Sequence, residues 1–173
     1  MTRPAISEPP PRTTLGGPFS GPERQPSSGR TDQGDPFLIL ARAVRERATG
    51  ALAFDDGDER WSRRILLREG DLTNAASDEA DDALVRYLVS RGDLAPEVAR
   101  AGPKLPQSGR HAAAALIARG ILEQDELWSS LRAHAEWLVA RILQSGPKAV
   151  RLESAPPERL RAEPNVFGGA AGA

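Results

Sequence analysis

The sequence predicts an α+β domain: a small antiparallel β-meander packed with a bundle of four to five helices, including two helical hairpins related by a weak internal repeat. Three observations carry this. Residues 50–77 alternate between large and small or polar side chains and are broken by glycine turns, as strands with one buried face do. Residues 35–48 and 79–144 instead repeat their apolar positions at helical spacing. Finally, "LVSRGDLAPEVARA" from Leu88 is echoed by "LIARGILEQDELWS" from Leu116: Leu88, Val89, Arg91, Gly92 and Leu94 correspond to Leu116, Ile117, Arg119, Gly120 and Leu122 at an offset of 28.

In chain order, residues 1–34 hold seven prolines and five glycines among Ser, Thr and balanced charge. Such a stretch buries too little apolar surface to offset its ordering entropy, which predicts a disordered N-terminal arm. The first helix opens at Asp35-Pro36, a capping residue followed by proline at the first helical position. Phe37, Leu40 and Val44 recur along it, and Thr49-Gly50 ends it. "GALAFDD" then places Leu52 and Phe54 on one strand face. After the turn "DDGDE", "WSRRILLREG" places Trp61, Arg63, Ile65 and Leu67 on one face. "DLTNAAS" follows the Glu69-Gly70 turn as a third strand.

A helix over 79–91 carries Leu84, Tyr87 and Leu88 and stops at Gly92. A short one begins at Pro96, a third runs from Gly109 to Arg119, and the longest from Glu123 to Gln144. "AVRLES" returns as an edge strand with Val150 and Leu152 inward. The expected folded unit is therefore 35–154, and the proline-containing stretch 155–173 is expected as a flexible C-terminal tail. In the 28-residue echo, the glycines serve left-handed turns and the leucines plug the corners, which is a scaffold role rather than a repeated ligand site.

Composition excludes several function classes. The formal net charge is −1 and the pI near 6.2, so nothing in the field favours a nucleic-acid partner. There is no cysteine, hence no disulfide, thiolate metal site or catalytic thiol. No signal-peptide core and no run of 18 apolar residues occurs, which predicts a cytoplasmic protein without membrane insertion. His111 and His134 fall on different helices without zinc-helix spacing and are expected at or near the surface. Asp55, Asp56, Asp58 and Glu59 lack the spacing of a calcium loop and read as a solvated turn. No nucleophile elbow, P-loop or dinucleotide fingerprint is present. No metal, cofactor or catalytic residue is therefore expected.

The long helix offers the best lead. Leu127, Leu131, Ala135, Leu138 and Ile142 fall on one arc with Trp128 at its edge, and Trp137 lies opposite. A tryptophan off the apolar arc is either a contact residue or part of a second core. Trp137, Glu136 and Arg141 are the candidate partner-binding surface, with Arg63 and Arg64 as a second, basic patch that otherwise protects a sheet edge.

The stretch "TGALAFDDGDERWSRRILLREGDLTNAASDEADDALVRYLVSRGDL" resembles the opening of the DUF4388, or PATAN, domain, which shows a helix, "TG.L", a strand ending in a glycine turn, an "A.S" step and helices. The similarity spans about Asp35–Glu153. It implies a non-catalytic interaction module of bacterial signalling, acting on another protein such as a response regulator or a motility ATPase or GTPase component. "RHAAAALIARGILEQDELWSSLRAHAEWL" is similar to the N-terminal domain of type II secretion and pilus-extension ATPases. That similarity implies, as the alternative, a cyclic-dinucleotide sensor with its ligand between the hairpins. The arginine and glycine of that family's Arg-Leu-Gly become His111 and Ala113 here, around Ala112. The glutamine of its Ala-Leu-x-x-Gln becomes His134, after Ser130 and Leu131.

Overall fold

The computed structural model describes residues 34–55, 62–101, 109–147 and 149–168. The sheet has four antiparallel strands in the order β3-β2-β1-β4, with β1 at Gly50–Asp55, β2 at Ser62–Arg68, β3 at Asp71–Ser77 and β4 at Ala149–Glu153. The helices are α1 Pro36–Arg45, α2 Leu84–Arg91, α3 Pro96–Ala101, α4 Gly109–Ala118, α5 Leu127–Gln144 and α6 Glu158–Arg161, with a 3-10 turn at Ala80–Asp82 before α2. The α+β expectation and the returning fourth strand are observed. None of the helices is long and apolar enough to cross a membrane, among the described residues. The expected arm at 1–34, Gly34 apart, and the turn residues 56–61 lie outside the described residues.

Strand register follows from alternation. Leu52, Phe54, Ile65, Leu67 and Val150 share the inner face, because Leu52 pairs with Ile65, Phe54 with Arg63 and with Val150, and Gly50 with Leu67. They form one buried cluster with Ala43 of α1 and Ile142 of α5. Leu152, expected inward, is 36% exposed because β4 is an edge strand that α5 does not fully cover. A second buried cluster is helical: Leu84, Tyr87, Leu88, Leu94, Leu116, Leu122, Leu131 and Leu138 meet there. Helix α5 serves both clusters, since it packs on β2 and β3 and also against α1, α2 and α4.

Helix α1 is capped as expected, the Asp35 side chain accepting from the Phe37 amide at 2.8 Å. Its rotation differs from expectation. Pro36 and Ala43 are buried with Ile39 and Leu40 half-buried, while Phe37, Leu38 and Val44 stay 57%, 70% and 40% exposed. Arg42 and Arg45 mark the outer side, and the buried side is turned from the Phe37–Leu40–Val44 line toward Ile39 and Ala43.

The two echoed corners share their geometry. Gly92 has φ 83° and Gly120 φ 66°, and a Cβ at either would meet nothing within 4 Å. The glycines are thus there for the left-handed backbone, not for space. Past each glycine the chain bonds back identically: the amides of Asp93 and Ile121 each reach, at 3.0 Å, the carbonyl of Leu88 or Leu116. Leu94 and Leu122 are both buried. The likeness ends at the corner, for α3 has six residues and α5 eighteen.

The segment from Ala155 to Gly168, expected as a loose tail, is folded onto the domain. It leaves β4 at one edge of the sheet and reaches the other. There Arg159 pairs with Asp78 at 2.7 Å, the Asn74 amide donates to the Pro164 carbonyl at 2.9 Å and the Val166 amide to the Thr73 carbonyl at 2.8 Å. Leu160 and Val166 are buried, so two apolar anchors and three polar contacts outweigh a composition that alone reads as disorder. Beneath the segment a cavity of about 70 Å³, lined by Ser77, Asp82 and His134 among others, has room for only a few waters.

Candidate functional site: the groove between α2 and α5

Two polar assemblies meet α5, one buried and one open. The buried one centres on Asp82, in the 3-10 turn that joins β3 to α2. Its side chain is 0% exposed. One carboxylate oxygen accepts from Arg63 Nε and, at 2.7 Å, from the Ser77 hydroxyl. Arg141 Nε lies 3.2 Å from the other oxygen, an ion-pair distance off the line of a hydrogen bond. The Asp82 carbonyl accepts from His134 Nε2 at 2.7 Å. A carbonyl can only accept, so the neutral ring carries its proton on Nε2. His134 is buried rather than near the surface, and desolvation holds its pKa below the ordinary histidine value, against the opposing pull of Asp82.

Around this knot runs a ladder of rings and cations. His134 stacks on Trp137 with centroids 5.9 Å apart, Trp137 meets Tyr87 at 5.3 Å, and Arg141 lies 4.8 Å over the Trp137 ring. Arg91 lies 5.6 Å over the Tyr87 ring and donates to the Tyr87 hydroxyl at 3.0 Å.

Arg91 also borders the open assembly, a cavity of about 480 Å³ between the two glycine corners. Leu88, Leu94, Ile121 and Leu122 give it an apolar lining, and Arg91, Asp93, Glu126, Ser129 and Ser130 a polar one. On α5, Ala133 lines this cavity and stands one turn before Trp137, which stands one turn before Arg141. Glu126, Ser130, Ala133, Trp137 and Arg141 therefore share one face. The cavity, the groove of this site, thus lies at one end of that face, and a half-buried tryptophan under an arginine lies at the other.

The predicted contact residues are distributed unevenly. Trp137 and Arg141 are brought together on the α5 face that continues from the groove. Glu136 is exposed on the next face, paired with Arg132 at 2.9 Å. Arg63 and Arg64 form no surface patch. They are 6% and 8% exposed, because β2 is a central strand. Arg63 turns inward to Asp82, and Arg64 on the opposite sheet face holds Asp78 at 2.8 Å and Glu153 at 3.0 Å. Asp55 is likewise buried, with Arg151 at 3.0 Å. The exposed tryptophan of α5 is Trp128, 58% exposed. It shares the core arc by angle but sits in the first turn. The groove residues Arg91, Asp93 and Glu126 were not singled out by sequence; the corner echo was their signal.

Of the positions aligned with the nucleotide-binding family, Ala112, Ala113, Leu131 and His134 are buried in the helical core, His111 is exposed away from the groove, and Ser130 lines it. Comparison with protein-family models, with curated proteins and with solved structures gives no match.

Proposed function

We propose that the protein is a non-catalytic adaptor that docks another protein through the α2–α5 groove, with Trp137 and Arg141 beside it on the same face of α5. The observation that carries this is the pairing of a half-buried tryptophan under an arginine with an adjoining cavity whose lining is part apolar and part polar. Interface hot spots are built from such groups, and pockets of this size take anchoring side chains. The polar groups of the buried knot are occupied in holding the chain together: the Ser77 proton goes to Asp82 and the His134 proton to the Asp82 carbonyl. A cyclic dinucleotide, the second reading, would bring phosphates against Asp93 and Glu126, and its one cationic neighbour in the lining, Arg91, is already paired with Asp93 at 3.1 Å. The resemblance to PATAN domains supports the same reading, with bacterial signalling or surface motility as the proposed setting.

The test is capture of partners from a bacterial lysate with the full chain, its Trp137→Ala variant and an Ala133→Arg variant that fills the groove. Partners held by the parent and lost by both variants support the adaptor. Partners held equally by all three move docking away from the groove, and a thermal shift with cyclic dinucleotide that both variants abolish replaces the adaptor with the sensor.

A further inference from the structure

The charge around the groove identifies the chemistry of its partner, given the adaptor reading above. Arg91 and Asp93 neutralise one another across 3.1 Å. At the corner between α4 and α5, Glu123, Asp125 and Glu126 are all exposed, and none of them has an ion-pair partner among the described residues. Glu126 only accepts from the Glu123 amide, at 3.1 Å, which keeps its charge at the groove's rim. Even with Arg119 of the preceding turn counted against them, the corner is negative. Beside it lies the apolar lining of Leu88, Leu94, Ile121 and Leu122. The surface therefore attracts a segment that is apolar and cationic together, and it repels phosphodiesters and acidic peptides.

The shape narrows the segment further. Every lining residue belongs to a helix or a helix corner, so no sheet edge is offered for backbone pairing. A bound segment must satisfy its own amides, as a helix does. The cavity touches α5 from its cap Glu126 to Ala133, about 10 Å at 1.5 Å per residue, which is the length of about two helical turns. We propose that the groove takes a short amphipathic helix from a partner protein, with leucine-like side chains on the apolar lining and lysine or arginine against Glu123, Asp125 and Glu126.

Two labelled peptides of about sixteen residues test this by fluorescence anisotropy against the full chain. Both carry leucine on one helical face. One carries lysine and the other glutamate on the opposite face. The leucine–lysine peptide is expected to bind at least about tenfold tighter, and more weakly as salt is added. A Glu123→Gln, Asp125→Asn, Glu126→Gln variant should lose about tenfold of that affinity, because glutamine at 126 keeps the acceptor for the Glu123 amide but not the charge. Ala133→Arg should abolish binding, and Glu158→Gln, a carboxylate removed from the other end of the chain, should change nothing. Equal binding of both peptides, lost on Ala133→Arg, overturns the basic partner while leaving the groove as a docking site. Binding indifferent to Ala133→Arg, or weakened as much by Glu158→Gln as by the triple variant, overturns the proposal as non-specific attraction. Binding of neither peptide overturns it too, and the capture experiment then bears on the adaptor alone.

Discussion

Asp82 and Glu126 both set a carboxylate beside α5, and they end in opposite surroundings. Asp82 is sealed against Arg63, Ser77 and Arg141, and its main chain holds His134. Glu126 stands at the rim of a groove, and its carboxylate bonds only to a backbone amide of its own loop. Removing a charge from water is costly unless partners replace the solvent, so the buried group becomes scaffold and the exposed one remains free to meet another molecule. The buried carboxylate faces two cations, whereas the corner carboxylates at the groove's rim face none among the described residues.

The largest effect should come from breaking the saturated side. Asp82→Asn keeps the shape but removes the charge beside Arg63 and Arg141, and should destabilise the fold by about 3–5 kcal/mol, read from the urea midpoint. Replacing the ions together, Asp82→Leu with Arg63→Met, should recover most of that loss, since apolar groups of similar volume can substitute for a buried pair. A loss below about 1 kcal/mol for Asp82→Asn would show that water reaches the site and end the distinction drawn here.

Next comes the ring ladder that joins the two assemblies. Trp137→Ala should cost about 2 kcal/mol, less than a fully buried tryptophan would, because its ring is only half-covered. In a double-mutant cycle with Arg141→Ala, the coupling should be about 0.5–1 kcal/mol for a partly exposed cation over a ring. A coupling of zero would separate Arg141 from the groove and leave it to Asp82 alone.

How far these regions were legible in the sequence differs for a physical reason. Strand alternation, the capping Asp35, the stops at Gly92 and Gly120 and the return of Val150 to the sheet are local or periodic signals. Alternation also put Arg63 on the same strand face as Ile65 and Leu67, which is where it lies. What it could not supply was the carboxylate that makes such a position tolerable, because Asp82 is 19 residues away on another element. The C-terminal segment was illegible for the same reason, since Val166 is an ordinary residue in a proline-containing stretch until β3 and the helical cluster meet it. The groove was half-legible. The corner echo marked both ends of its apolar lining, but helical angle alone gave Trp137 no neighbours and set Trp128 at the core's edge.

His134 sharpens the comparison through pH. Its folded pKa lies below the ordinary histidine value of 6.5 because burial disfavours the charged ring. Between that depressed value and 6.5 the unfolded chain binds the proton and the folded chain does not, so stability falls as pH falls below about 6.5 and is fully present above it. Urea midpoints at pH 7.5 and about 5.5 should show this loss, and His134→Asn should flatten it. A slope of the opposite sign would mean that Asp82 outweighs desolvation and the knot favours a charged ring.

The two corners should respond alike and mildly. Gly92→Ala and Gly120→Ala each force an L side chain into left-handed backbone with no clash to add, at a cost of about 1 kcal/mol each. Values differing by more than about 1 kcal/mol would mean that the shared hydrogen bonds at Leu88 and Leu116 do not make the turns equivalent.

The smallest effect on stability should be Glu126→Gln, which is the same chemical change as Asp82→Asn: a carboxylate becomes an amide and one charge is lost. The acceptor for the Glu123 amide survives and no buried cation loses its partner, so the change should stay within about 0.5 kcal/mol. Its effect belongs to binding instead, where it removes one of the rim charges. If Glu126→Gln destabilised the fold as Asp82→Asn does, the corner carboxylates would be structural and the groove's negative rim would have no freedom to select a partner. A silent effect on stability with weaker capture of a cationic helix would place the two carboxylates on opposite sides of the line between scaffold and contact surface.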